Sequence, residues 1–402
     1  MLYNDQLIYM DYNATTPTDP RVVEAMLPYF YNNPGNAASH THALGWMAEE
    51  AVDQARQKIA DLIHVTPEEI VFTSGATESD NLALKGVFEM YHRKGKHIIT
   101  LKSEHNAVLD TCHRIEKLGG EVTYLDVDED GLVDLKELEE SIRPDTILVS
   151  IMWANNETGV IQPMEAIGKI CTEKNTLLMS DATQAVGKIK VDPIKAGVHL
   201  MAFTGHKMYG PKGIGALYVR KKNPRVKITP QIDGGGHESG MRSGTLNVPA
   251  IVGFGKAAEI ALNEMEKEAK RISKLRDHLE AQILEKVEET SVNGSLQYRL
   301  PHVSNIAFKH VESEGLMMSF NKYLAVSSGS ACTSAQLDPS HVLLAMGMSK
   351  NKAHSSLRFS LGKFTTPEQV ETAIQKVMES VEHARSISPI WMMFKKGIDL
   401  DI

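Results

Sequence analysis

Cysteine is scarce in this chain: Cys112, Cys171 and Cys332 are the only three among 402 residues. They lie far apart, are odd in number and never fall as CxxC, which excludes a disulfide framework, a zinc ribbon and a thioredoxin-type redox pair. A basic excess is also missing. The 43 Lys and Arg are outnumbered by 51 Asp and Glu, so direct nucleic-acid binding is not expected. No apolar run reaches the ~18 residues that a membrane-spanning helix needs. The opening segment MLYNDQLIYMDYNATTP carries Asp5 and Asp11 where a leader would be apolar, and lacks the Arg/Ser-rich character of a transit peptide. These absences together predict a soluble, cytoplasmic protein whose thiols stay reduced.

What is present reads as an α/β protein. Strand signals recur at 68–75, 97–103, 121–127, 146–154, 176–182, 199–205 and 215–219. Helical spacing fills most of the gaps, as in DLKELEESI and MEAIGKICTEK. This alternation predicts a mostly parallel central sheet covered on both faces, with ligands at the carboxyl ends of its strands. A long amphipathic segment at 254–289 leads into a smaller α+β domain, which closes with a helix capped by Thr366 and begun by Pro367. The expected division is a large domain over 16–262 and a small one from 1–15 and 263–402. The final stretch, SPIWMMFKKGIDLDI, reads as an extended, partly apolar tail.

Strand ends are where the chemistry should lie. Ser74-Gly75-Ala76-Thr77 ends one strand and opens a helix, a natural phosphate cradle, although most such turns only turn the chain. Asp181 ends TLLMSD, with Gln184 three residues on; it is a helix cap or a partner for a protonated pyridine nitrogen. Lys207 follows another strand end in Thr204-Gly205-His206-Lys207, where nearby glycines let the chain approach a ligand, and a lysine so placed suits a Schiff base. Thr204 and His206 are further phosphate donors. His105 falls at a fourth strand end, placed for stacking and proton transfer or simply a hydrogen-bonded loop residue. His40 and His42 lack further ligands, so no intrinsic metal is expected. Cys332 sits among small polar residues in SSGSACTSAQLDP, unlike a packing cysteine, whereas Cys112 and Cys171 fall in helical segments and read as bystanders.

Nine segments in order then carry a resemblance: MDYNATTP (10–17), FTSGATESDN (72–81), SEHNAV (103–108), NNETG (155–159), SDATQAVGK (180–188), TGHKMYGPKGIG (204–215), GMRSGTLN (240–247), SSGSACTSA (327–335) and RFSLGKFTT (358–366). Over nearly its whole length the chain resembles the cysteine desulfurases of the housekeeping iron–sulfur assembly type, pyridoxal-phosphate enzymes of the class-V aminotransferase family. The resemblance implies a fold-type I homodimer that converts L-cysteine to L-alanine and leaves the sulfur as a persulfide on Cys332. It implies Lys207 as the cofactor-bearing lysine, Asp181 as the pyridinium partner, and Gln184 and Asn156 on the phenolic oxygen. His105 would stack on the ring, and Ala76, Thr77, Thr204 and His206 would hold the phosphate, joined by Thr245 from the neighbouring subunit. Arg358, Asn156 and Asn36 would bind the substrate carboxylate. An iron–sulfur scaffold protein and other sulfur acceptors are the implied partners, with Cys332 a potential cluster ligand shared with the scaffold. Two departures stand out: Thr204 replaces the usual Ser, and Gly35-Asn36-Ala37-Ala38-Ser39 lacks the family's proline. Alternatives on the same fold are an aminotransferase and a selenocysteine lyase.

Overall fold

The computed structural model describes residues 7–328 and 339–398; Cys332 lies outside them. The strands in chain order are β1 (Ile8–Tyr9), β2 (Ile70–Thr73), β3 (His97–Leu101), β4 (Glu121–Leu125), β5 (Thr146–Ser150), β6 (Leu177–Asp181), β7 (Leu200–Thr204), β8 (Gly215–Val219), β9 (Thr290–Val292), β10 (Val303–Phe308), β11 (Leu324–Ala325) and β12 (Ser356–Ser360). Strands β2 to β8 coincide with the seven segments read from the sequence. They form one sheet in the order β2-β8-β7-β6-β5-β3-β4. Only β8 runs against its neighbours, pairing antiparallel with β2 and β7. The other neighbours pair in parallel, so β2, β3, β5, β6 and β7 all end on the same edge.

Side chains alternate across the sheet because successive strand residues point to opposite faces. Ile70, Phe72, Ile99, Leu101, Met201 and Phe203 pack on one face. Val71, Ile98, Leu148, Met179, Leu200 and Leu217 pack on the other. Both faces are buried, which explains why the strands read as continuous apolar runs.

The helix Val248–Lys286 joins this layer to a second core. Its first part contributes Ile251, Phe254 and Ala258 to the sheet cluster. Its later part contributes Ile272, Leu279 and Ile283 to a separate cluster around β10, β12 and the helix Pro367–Ser386. The helix begins at Val248, ahead of the 254–289 segment read from the sequence, because Asn247 Oδ1 accepts the Ala250 amide at 3.3 Å and Pro249 occupies the first turn. Thr366 caps the later helix as expected, and Gln369 completes a capping box with it.

The terminal stretch corrects the sequence reading. Pro389–Lys395 is helical rather than extended. Ser388 Oγ accepts the Trp391 amide, Pro389 supplies a preset first turn, and Trp391 stacks on Phe394 at 5.4 Å. A short helix of this kind shows too few turns for its periodicity to be read.

Candidate active site

At the end of β2 the backbone turns through Ser74 and Gly75 into the helix Ala76–Tyr91, whose N-terminus has no side-chain cap. The Ser74 amide is taken by Glu78 Oε2 at 2.7 Å, and Arg242 Nε holds Glu78 Oε1 at 2.8 Å. The remaining first-turn amides, with the positive helix end, face the strand edge as an anion cradle. Gly215 lies so close that a Cβ on it would stand 2.7 Å from the Gly75 backbone. Thr204 Oγ1 is beside the same turn, but in this structure it donates to the Ile214 carbonyl at 2.8 Å. Its hydroxyl must rotate before it can donate to a phosphate. His206 Nδ1 pairs with Thr15 Oγ1 at 3.2 Å, and burial lowers its pKa to about 4, so the ring is a neutral partner.

Lys207 leaves the short turn after β7 and donates to the main-chain carbonyls of Asn13 and, at 2.8 Å, Ala14. Burial and the Arg358 guanidinium lower its pKa to about 8, against the opposing pull of Asp11 and Asp181. The amine is thus far easier to deprotonate than a surface lysine. Gln184 Nε2 donates to the same Asn13 carbonyl at 3.1 Å.

Asp181 is buried at the end of β6, one oxygen accepting the Thr183 amide at 2.9 Å. His105 caps the helix Asn106–Lys117, its Nδ1 accepting the Ala107 amide at 3.1 Å. That bond leaves Nε2 with the ring proton when the imidazole is neutral. His105 is exposed, yet enough protein surrounds it for partial desolvation to lower its pKa; Asp181 opposes this, and Lys207 and His341 add to it. Behind Asp181 lie two buried carboxyls, Asp80 and Glu104, both pushed well up by burial. Among the described residues neither Asp80 oxygen has a hydrogen-bond partner, and the Glu104 carboxyl accepts the Met152 amide at 2.6 Å.

On the side of the second core, Arg358 projects from β12. It donates to the Asn156 carbonyl at 2.9 Å and to Asp11 Oδ1 at 2.6 Å. Sequence reasoning placed Arg358 but missed this carboxylate partner. The Asn156 side-chain oxygen is buried and has no partner among the described residues.

Two expected residues are not drawn into this constellation. Asn36 is exposed and spends Oδ1 on the Ala38 amide at 2.9 Å. Thr245 is exposed in a loop that Arg242 ties to Glu78, and among the described residues it bonds to none of its own chain's site. His42, once a metal candidate, caps the helix Ala43–Leu62. Cys112 and Cys171 are buried on helices, their thiols pushed up by burial, as bystanders should be. Besides Asp11, the sequence reading missed Asn13, His302 and His341. Asp11 and Asn13 lay inside a quoted motif, whereas no local pattern marks His302 or His341.

Known proteins share this fold and much of this sequence. The model of the class-V aminotransferase family matches residues 8–372. Curated proteins named cysteine desulfurase IscS from Photorhabdus laumondii and from an Anaeromyxobacter species are each 56% identical, over 98% of this chain and 97% of their own. A solved structure described as a NifS-like protein superposes with a TM-score of 0.88 at 40% identity, covering 94% of this chain and 100% of its own. Another, described as SspA in complex with cysteine, gives 0.79 at 38%, covering 89% and 99%. A match this long, with more than half the residues identical to curated relatives, makes the chain a member of the class-V aminotransferase family, among its pyridoxal-phosphate-dependent cysteine desulfurases.

Proposed function

We propose that this protein is a cysteine desulfurase supplying sulfur for iron–sulfur cluster assembly, and that the constellation around Lys207 is its active site. The observation that carries the site assignment is the meeting, on one sheet edge, of a desolvated lysine, a buried aspartate and an uncapped helix N-terminus. The residues fit pyridoxal phosphate. Among the described residues the Asn156 oxygen is buried and unpartnered, and Ala76 and Thr77 open a helix whose N-terminus no side chain caps. When bound, the cofactor supplies an electron sink for charge arising at the substrate Cα.

The chain's own residues do the rest. Lys207 would carry the cofactor and, once released, remove the Cα proton with an amine whose low pKa suits that task. Asp181 would keep the ring nitrogen protonated, and Gln184 and Asn156 would bond the phenolic oxygen. Ala76, Thr77, Thr204 and His206 would hold the phosphate, and His105 would stack on the ring. Arg358, with Asn156 and Asn36, would bind the cysteine carboxylate. His105 would take the substrate thiol proton at Nδ1 once that nitrogen releases the Ala107 amide, since Nε2 already holds the ring proton. Cys332, outside the described residues, would attack that sulfur as thiolate: the S–S bond forms, the Cβ–S bond breaks, and its electron pair leaves with the carbon fragment. The balance is L-cysteine plus one enzyme thiol giving L-alanine plus one persulfide.

A homodimer completes the reading. Among the described residues Thr245 is exposed and bonds to none of its own site, and Phe30 and Trp46 are 62% and 55% exposed near the chain start, which supports a second copy covering them. The division into 16–262 and 1–15 with 263–402 is supported by two separate apolar clusters joined along one helix. A scaffold protein as sulfur acceptor, with Cys332 a shared cluster ligand, and a cytoplasmic setting belong to the same proposal. The free thiols of Cys112 and Cys171 are consistent with that setting.

The test separates binding from transfer. Cys332→Ser should retain the yellow cofactor and its spectral response to cysteine, yet form neither alanine nor persulfide. Sulfur label from cysteine should appear only on the Cys332 peptide. Normal sulfide release by Cys332→Ser would sink the mechanism.

A further inference from the structure

Asn13 is almost wholly buried, and three bonds from separate parts of the chain hold it. Its amide N–H donates to Ser360 Oγ at 3.0 Å, and its side-chain Nδ2 donates to the Asn156 carbonyl at 2.9 Å. With Nδ2 the donor, Oδ1 must accept, so His302 Nε2 donates to it at 2.8 Å. His302 is itself buried; burial and the cations Lys188, Arg276 and Arg358 keep its imidazole neutral, and the Asn13 Oδ1 acceptor places its one proton on Nε2. Clamped this way, Asn13 presents its carbonyl to Lys207 Nζ and to Gln184 Nε2. The Asn156 carbonyl in turn accepts from both Asn13 and Arg358. Asn13 thus links Lys207, Gln184 and Asn156 directly, and Arg358 through the Asn156 carbonyl.

We propose that Asn13, locked by His302, is a positioning residue for Lys207: the Asn13 and Ala14 carbonyls form the resting cradle of the Lys207 ammonium whenever that amine is not bonded to cofactor. The proposal rests on the reading of Lys207 as the cofactor-bearing lysine. A defined resting place matters because a lysine released during turnover has several rotatable bonds and must return to the same spot. Without the cradle, the buried ammonium loses its acceptors and gives up its proton more readily.

The experiment labels lysines of the cofactor-stripped, full-length chain with acetic anhydride across a pH series, followed on the Lys207 peptide by mass spectrometry. Arg358, Asp11, Asp181, Lys188 and His206 all act on this amine or feel it, and are left intact. The wild-type profile should have its midpoint at about 8. His302→Leu and Asn13→Ala should each lower that midpoint, so that labelling on the acid side of the profile rises, roughly tenfold for a midpoint lowered by one pH unit. His302→Gln, whose amide N–H can still donate to Asn13 Oδ1, should return the profile to wild type. A general packing defect would not be rescued by that change. If His302→Leu does not fold, Asn13→Ala set against His302→Gln decides. Unmoved profiles in the disrupting variants, or a His302→Gln profile matching that of Asn13→Ala, would overturn the proposal. Borohydride reduction of the cofactor-loaded wild type keeps the two readings apart. Cofactor on another lysine defeats the Lys207 assignment and the cradle with it; cofactor on Lys207 with unmoved profiles defeats the cradle alone.

Discussion

Arg358 shows how much one side chain is asked to do. Its guanidinium spans Asp11 and the Asn156 carbonyl, a fixed fork that a lysine ammonium does not reproduce. In the proposed role it also meets the substrate carboxylate. Arg358→Ala should weaken cysteine binding by about 2–3 kcal/mol, the cost of a lost charged hydrogen bond. The check is a cysteine titration of the cofactor absorbance; an unchanged response would remove Arg358 from the site. Glu157 makes a different kind of prediction. It is buried, accepts the Ser340 hydroxyl at 2.5 Å, and burial raises its pKa from 4.5 to about 7. A carboxyl raised on folding holds a proton that the unfolded chain has lost, so its contribution is fully present below pH 4.5 and fades as pH rises through 7. Over that window the loss is on the order of 3 kcal/mol. Glu157→Gln should therefore flatten the fall in stability between pH 5 and 8, measured by denaturant unfolding of the cofactor-free protein; an unchanged slope would show that Glu157 ionises normally.

Among the elements, the joint between β8 and the helix Ala76–Tyr91 governs the proposed phosphate cradle. Gly215 has no room for a methyl group, since its neighbour there is the Gly75 backbone, which cannot swing aside like a side chain. Gly215→Ala should cost roughly 1–3 kcal/mol through overpacking and also speed cofactor loss. Thr366→Ala supplies the contrast. It removes one cap of the helix Pro367–Ser386 and should cost about 1 kcal/mol, with the cofactor held as tightly as before. Unfolding midpoints and cofactor dissociation rates, measured on both variants, separate the two; equal dissociation rates would show that the close approach does not shape the cradle.

For the molecule as a whole, the exposed apolar side chains at the start of the chain bear on assembly. Leu27, Phe30 and Tyr31 are exposed at the end of one short helix and along the next, with Trp46 and Met47 on the first turns of Ala43–Leu62. These three helices pack on the long helix Val248–Lys286. Phe30→Glu with Trp46→Glu should shift the protein toward monomer in sedimentation, since two charges would enter an apolar contact. Cofactor affinity should fall with it, because the proposed Thr245 contact comes from the other copy. A fully dimeric double variant would move the interface elsewhere.

The residues at strand ends, Lys207, Asp181 and the Ser74–Thr77 turn, were legible because each follows an apolar run, and in a mostly parallel sheet that position alone puts it on the functional edge. The seven strands and the longer helices were legible for a related reason: their hydrophobic periods are local and long enough to read. The terminal helix Pro389–Lys395 was not, being too short for a period to emerge. Nothing in the sequence could show Asp11 paired to Arg358, His302 locked to Asn13, or Asp80 and Glu104 buried behind Asp181. Those relations join residues from distant parts of the chain, and no local pattern encodes a distance in space. Local chemistry determined which groups could act; the packing of the second core against the sheet edge decided which of them meet, what charge each carries, and where the lysine rests.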